Sequence, residues 1–420
     1  MKHCRQKKKL HILTAAFPAV AAMMVLCTAV TAAGEPAADL PAMLGGESAY
    51  APAYLDIPLF ILAILLGLAT GLMTGAIGVG GGFVVTPALM SVGIQGILAV
   101  GTGMFYVFST AIMGSVIHRK LGNVSIPLAA AFVLGSFLGV NAGAGINRAI
   151  YQANPLLSDA LITFLYVALL GLLGAYALYD YRRLSRAAAG TAHAADPATS
   201  TGTANDAGGA HPGKLSLSRM AQRCHLPPMI ATGNGGRISA WLVALCGFVV
   251  GFLASIMGVG GGFLTFPAYV YGLGIAPLLA VGTDTLQIVF TAGYASIFKY
   301  AAYGFVFYSL AVGLLTGSLI GVQLGAMATK LVSERHIKGF YAITILAAFV
   351  NRLCALPQKL GDLGYLSLPH AVGKAIGSGG TIVFFAVIAL FAIWVLSVLI
   401  RSFFDGERRA GSAGAAEYGD

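Results

Sequence analysis

Apolar residues fall in long runs along this chain, at about 57–77, 81–97, 98–117, 125–146 and 159–179. They recur at about 239–257, 262–277, 278–298, 305–328 and 337–351, with a last run near 378–400. Each run is bounded by Gly, Pro, Asn or a charge, and runs of this kind predict membrane-crossing helices. From Ile57 to Ile117 there is no Asp, Glu, Lys or Arg, which leaves room for three segments of roughly 20 residues each. A charge at the bilayer centre costs about 2.5–3.5 kcal/mol on insertion scales, so its absence over this stretch is informative. The pattern predicts two sets of five crossings and one terminal extra helix; the short segments 81–97 and 262–277 either span or re-enter, and re-entry would leave four spans per set and parallel repeats.

Between the sets, residues 182–237 carry seven Lys or Arg against two Asp, and residues 187–213 are mainly Ala, Gly, Thr and Pro. That composition predicts a disordered cytoplasmic linker over 181–237. At the N-terminus, Lys2, Arg5, Lys7, Lys8 and Lys9 precede an apolar run from Leu10 to about Ala33. This reads as a signal peptide cleaved near Ala32 or Ala33, or as an uncleaved anchor. Residues 34–56 contain Glu35, Asp39, Glu47 and Asp56 but no Lys or Arg, as expected of an extracytoplasmic segment.

Placing the linker inside and counting crossings puts residue 56 outside and His118, Arg119 and Lys120 inside. The same count puts Lys330, Arg335, His336, Lys338 and Arg401 inside, in agreement with the positive-inside rule. The remaining boundaries are a first repeat at 57–180, a second at 238–352, an extracytoplasmic loop at 353–377, a last helix at 378–401 and a cytoplasmic tail at 402–420. An odd number of crossings per repeat turns the second repeat over relative to the first.

Composition removes other function classes. With 58% hydrophobic and 10% charged residues and a mean hydropathy of +0.84, the chain lacks the polar surface of a soluble domain. The formal charge of +10 resides mainly in loops and ends, so it orients the protein in a membrane and predicts no nucleic-acid partner. The five cysteines (Cys4, Cys27, Cys224, Cys246, Cys354) show no metal or redox spacing. No HExxH motif and no paired intramembrane carboxylates occur, which argues against an enzyme. Nothing predicts a metal or another cofactor.

The chain carries a duplicated motif. Gly78-Val79-Gly80-Gly81-Gly82-Phe83 recurs as Gly258-Val259-Gly260-Gly261-Gly262-Phe263, followed by Pro87-Ala88 or Pro267-Ala268 and by Ala99-Val100-Gly101-Thr102 or Ala280-Val281-Gly282-Thr283. Glycine clusters in lipid-soluble sequence predict broken helices. Neither cluster is followed by Lys-Ser or Lys-Thr, and a dinucleotide pattern would need glycine where Phe83 and Phe263 stand. Interrupted helices in inverted repeats are a transporter architecture.

These paired clusters, with the glycines of Lys120-Leu121-Gly122-Asn123-Val124 and Ala302-Tyr303-Gly304-Phe305-Val306, resemble the sulfite exporter TauE/SafE family of membrane permeases over roughly residues 57–400. The resemblance implies transport of a small anion, typically sulfite, an organosulfonate or a related sulfur or carboxylate compound, without ATP hydrolysis. It also implies export across the bacterial inner membrane. An importer or channel for another small anion, or a non-transport assembly partner, stays open as an alternative. The expected partners are the anionic solute and the lipid bilayer, with a homodimer also left open.

Backbone N–H groups freed at a helix break can hold an oxyanion without a buried Arg or Lys. On that reading Gly78, Gly80, Gly81, Gly82, Gly258, Gly260, Gly261 and Gly262 line the substrate site. On the alternative reading they only let helices pack. Asp284 is the only Asp, Glu, Lys or Arg between Ile238 and Phe298, and its repeat partner is Gly103. It couples transport to protons, or it caps the helix beginning there. Thr102, Thr283 and Gln287 are the neutral donors placed in the pathway. His118 and Lys299 read as interfacial residues, the aromatics near Tyr300 and Tyr308 as a membrane belt, and Asn141 and Asn147 as partners for freed backbone.

Overall fold

A computed structural model describes residues 57–77, 81–120, 122–191, 226–232, 236–328, 334–366 and 369–416. The expected leader and extracytoplasmic segment, Gly78, Gly80, Lys330 and most of the linker lie outside the described residues. The first repeat consists of α1 (Ile57–Ile77), α2 (Gly82–Ser91), α3 (Gly96–Lys120), α4 (Ile126–Ala153) and α5 (Pro155–Thr191). A hairpin of β1 (Met229–Ala231) and β2 (Arg237–Ser239) precedes the second repeat. That repeat comprises α6 (Ala240–Met257), α7 (Gly262–Pro267), α8 (Pro277–Tyr294), α9 (Tyr308–Ala328) and α10 (Glu334–Asp362), and α11 (His370–Ala416) closes the chain. Six helices among the described residues are long and apolar enough to cross a membrane. Their outward faces are apolar, as at Leu134 and Leu138 on α4 and Ile382, Leu390 and Ile393 on α11. The protein is an all-α polytopic membrane protein apart from the short hairpin.

The crossings expected at 81–97 and 262–277 are not full-length helices. Helix α2 has 10 residues and α7 has six, continued by a π-helical turn over Ala268–Gly272. At 1.5 Å per residue α2 covers about 15 Å, half of a hydrocarbon core of about 30 Å. Hydropathy counts the residues of a segment, whereas glycine and proline decide how many stay in one helix. After α2 the chain turns at Gly93 (φ 94°), and after the π turn it turns at Gly274 (φ 71°). Both values lie in the left-handed region that glycine enters without steric cost.

Other boundaries also move. Helix α5 runs on to Thr191 and α10 to Asp362, so much of the expected loop at 353–377 is helical, and α11 begins at His370. Residues 226–232, 236 and 237, read as the end of the linker, instead belong to the hairpin and its approach, with Ile230 and Ile238 buried against Leu273 and Ile275. The Thr232 carbonyl accepts the Ala276 N–H at 3.0 Å, tying the hairpin to the turn before α8. Two β-branched residues in a polar, Gly-containing stretch were too weak a pattern to stand out.

The two repeats interleave. Helix α1 packs most extensively on α9, and α4 on α6. Each contact uses glycines four residues apart. Gly67, Gly71 and Gly75 meet the backbone at Leu314, Ser318 and Val322. Gly135, Gly139 and Gly143 meet it at Ala244, Phe248 and Phe252, and Gly317 and Gly321 return the contact at Ile64 and Leu68. A Cβ at any of these glycines would come closer than 3.0 Å to a backbone atom of the facing helix. Small residues at this spacing are how helices gain close van der Waals contact where lipid removes the hydrophobic drive.

Within each of these pairs the residue numbers rise together, so the helices run parallel. The self-corresponding pairs run the other way. On α3 and α8, Gly114 meets Thr285 and Phe108 meets Gly293; on α5 and α10, Gly171 meets Phe349, Gly174 meets Leu346 and Asp159 meets Lys359.

Gly317→Leu is expected to lower thermal stability by more than the roughly 1–3 kcal/mol of ordinary overpacking, with loss of monodisperse protein on size-exclusion chromatography. Gly145→Ala, where nothing lies within 4 Å of an added Cβ, is expected to leave the melting profile unchanged.

Candidate functional site

The two glycine breaks meet near the middle of the bundle. A Cβ on Gly82 would lie 2.8 Å from the Val259 carbonyl oxygen, and the rings of Phe83 and Phe263 stand 5.8 Å apart. Gly103 faces the Gly258 carbonyl, and the Thr86 hydroxyl donates to the same carbonyl at 3.3 Å. In the second break Gly258, Gly260 and Gly261 all have positive φ (75°, 72° and 93°), while Gly81 before α2 has φ −68°. The second cluster is thus needed for a left-handed turn, and Gly82, Gly258 and Gly260 are closely packed as well: an added Cβ would come within 3.0 Å of Val107 or Val100. Gly262 opens α7.

Asp284 is buried on α8 at 6% exposure. Gln287 Nε2 donates to its Oδ1 at 2.7 Å and reaches Thr265 Oγ1 at 3.4 Å. Thr265 Oγ1 donates to the Gly261 carbonyl at 3.0 Å, and Thr291 Oγ1 donates to Gln287 Oε1 at 3.1 Å. One chain of hydrogen bonds thus runs from the carboxylate to the backbone of the break. Tyr269, fully buried on the π turn after α7, has a hydroxyl with no partner among the described residues. Capping does not account for Asp284: no side-chain cap bond opens α8, which begins seven residues earlier at Pro277.

The first repeat cannot hold a matching carboxylate. A Cβ at Gly103 would lie 2.5 Å from Thr86 Oγ1 and 2.8 Å from the Gly258 carbonyl oxygen. Four residues beyond each motif threonine, Gln287 is matched by Tyr106, whose hydroxyl bonds with Thr70 and Ser318 (3.0 and 3.1 Å). Asp284, Gln287, Thr265 and Tyr269 therefore form a cluster that belongs to the second repeat alone.

Thr102 and Thr283 belong to a different device. The Phe307 N–H donates to Thr102 Oγ1 at 2.9 Å, and the Ser125 N–H donates to Thr283 Oγ1 at 3.0 Å. The preceding glycines, Gly101 and Gly282, admit the carbonyls of Phe305 and Asn123. The duplicated Gly-Thr is a reciprocal clasp in which each repeat satisfies the backbone of the loop after the other's third helix.

The remaining candidates are peripheral to the cluster. Lys299 lies over the Tyr294 ring at 5.5 Å. His118 is half-buried at the end of α3. Asn141 bonds the Phe137 carbonyl and accepts the Tyr294 hydroxyl. Asn147 reaches the Tyr300 hydroxyl at 3.4 Å, and that hydroxyl donates to the Ser255 carbonyl just before the second break. Thr86, Thr265, Tyr269 and Arg352 escaped the sequence reading. Hydroxyl groups inside apolar runs look like ordinary helix positions, and Arg352 stands at the edge of its run.

Thr102→Ala and Thr283→Ala are each expected to cost roughly 1–3 kcal/mol of stability, because a buried N–H loses its acceptor. Thermal unfolding in detergent measures this, and an unchanged midpoint would remove the clasp from the account.

Comparison with known proteins agrees with this architecture. A sequence model of the family described as "Sulfite exporter TauE/SafE" matches residues 63–352. The chain is 25% identical over 289 residues to the "Probable membrane transporter protein YjnA" of Bacillus subtilis (strain 168), covering 68% of this chain and 96% of that protein. It is 23% identical over 295 residues to YunE of the same organism, also described as a probable membrane transporter protein, covering 68% and 94%. A shorter match, 34% identical over 116 residues, covers 28% of the chain and 42% of the probable membrane transporter protein ORF9 of Sinorhizobium sp. No solved structure matches the chain. With its paired half-helices, duplicated glycine breaks and multi-pass architecture, the chain belongs to the sulfite exporter TauE/SafE family and is a membrane transporter, not an enzyme.

Proposed function

We propose that this protein is a secondary transporter that exports a small anion, sulfite, an organosulfonate or a related sulfur compound, across the bacterial inner membrane. The observation that carries the proposal is the meeting of two helix breaks beside a single buried carboxylate bonded only to neutral side chains. Backbone at a break supplies N–H donors that no side chain obstructs, a setting suited to an oxyanion. The family description supports sulfite as the substrate and export as the direction. The antiparallel pairing of α3 with α8 and of α5 with α10 supports inverted repeats, the arrangement in which rocking one half against the other exposes a midplane site alternately to each side.

Asp284 supplies the coupling proton. As a carboxylate it accepts from Gln287, and Gln287 also reaches Thr265 at the mouth of the break. Protonation weakens the charge-assisted bond to Gln287, frees that amide to reorient, and thereby alters the hold of Thr265 on the Gly261 carbonyl. Proton binding and the geometry of the break are linked through three hydrogen bonds.

Purified protein in liposomes is expected to move one of sulfite, sulfate, thiosulfate, a small sulfonate or lactate when a pH gradient is imposed. Asp284→Asn is expected to reduce gradient-driven flux to background while the protein remains folded and able to exchange the anion. Folded wild type that moves none of these anions would remove the sulfur-anion reading. Undiminished gradient-driven flux in Asp284→Asn would remove the proton-coupling role.

A further inference from the structure

Arg352 is a cation inside the bundle that forms no ion pair with a carboxylate among the described residues. It lies on α10 at 2% exposure. Its Nε donates to Asn351 Oδ1 at 2.8 Å, and its Nη2 donates to the Pro87 carbonyl at 3.0 Å and to Ser91 Oγ, both on the second half of α2. Nη1 donates to no acceptor among the described residues. Asp159 is already engaged: Lys359 Nζ bonds one carboxylate oxygen at 2.7 Å and the Gly96 N–H bonds the other at 2.7 Å.

Holding the end of α2 does not require this charge. The matching end in the second repeat is closed by backbone alone, with the Leu273 N–H on the Ala268 carbonyl and the Ile275 N–H on the Tyr269 carbonyl. The helix corresponding to α10 has no Lys or Arg from Pro155 to Tyr181. A buried cation without a counter-ion is costly in a membrane protein and marks a functional position. The Nη1 group keeps N–H donors without an acceptor among the described residues, and a charged N–H is a strong donor to an oxyanion. On the neighbouring helix α5, the Tyr166 hydroxyl donates to the Met257 carbonyl, next to Gly258, at 2.7 Å.

We propose that Arg352, with Ser91 and Asn351, holds the transported oxyanion at a station between the glycine breaks and the turn joining α2 to α3. This assignment rests on the anion-transport reading above. Asn351→Asp tests it most sharply, because the new carboxylate gives the guanidinium an internal counter-ion and competes with the solute while leaving α2 clamped. Arg352→Gln removes the charge, and Arg352→Lys keeps the charge but not the guanidinium's set of N–H donors.

The readouts are KM for sulfite or methanesulfonate flux in liposomes and the rise in unfolding temperature that each anion produces in detergent. For Asn351→Asp and Arg352→Gln the expected result is a KM raised roughly tenfold or more, the effect of losing a hydrogen bond to a charged group, together with loss of the anion-induced rise. Arg352→Lys is expected to lie between them and wild type. If Arg352→Gln does not fold, Asn351→Asp decides the question. If wild type moves one of the anions and Asn351→Asp retains both its KM and its anion-induced rise, the Arg352 assignment falls alone. If folded wild type neither moves nor is stabilised by any of the tested anions, the transport reading falls and this assignment falls with it.

Discussion

Hydrocarbon offers no partner to a backbone N–H or C=O, so every interruption of a helix inside a bilayer must be satisfied by protein. This constraint organises the molecule. Two helices are broken at glycine, and each repeat on its own would leave a loop with unmet polar groups. The reciprocal clasp meets that need across the repeat boundary, Thr102 accepting the Phe307 N–H and Thr283 accepting the Ser125 N–H. The glycine stripes of α1, α4, α6 and α9 bring the backbones close enough for the clasp to form. Packing and hydrogen bonding thus depend on each other, and neither could be assembled from one repeat.

Symmetry is kept where the structure is held together and is abandoned where polar chemistry gathers. Motif threonines, glycine stripes and antiparallel helix pairs recur in both halves. The carboxylate does not, because Thr86 and the Gly258 carbonyl occupy the space beside Gly103. Gln287 is matched by Tyr106, and the π-helical turns at Ala268–Gly272 and Ala295–Tyr300 occur in the second repeat. Helix segments of that kind often accompany function. The duplicated chain has retained a common frame and specialised its two interiors differently.

Much of the frame was legible in the sequence, since long apolar runs, a doubled glycine cluster and the charge distribution each follow from the cost of polar groups in lipid. The half-helices at 82–91 and 262–267 lie in segments that the sequence left as either crossing or re-entrant, because hydropathy is blind to a turn placed within an apolar stretch. Asp284 and Gln287 were legible as rare polar groups in apolar surroundings, and the structure joins them directly. Thr102 and Thr283 were noticed for their repetition and assigned to the solute, whereas each is occupied by a backbone N–H from the other repeat. Arg352 and the Asp159–Lys359 pair were not legible. Their partners lie about 200 or more residues away in sequence, and polar residues at the margin of a hydrophobic run look the same whether they face a headgroup or another helix.

The interleaving of α1 with α9 and of α4 with α6 also dictates how the protein is made. A ribosome delivers the first repeat long before the second, so the stripes on α1 and α4 enter the membrane with no matching surface, and the first break waits there with its polar backbone exposed. The earlier half is therefore a client of whatever insertion machinery shelters it, and the later half completes it as a chaperone encoded in the same gene.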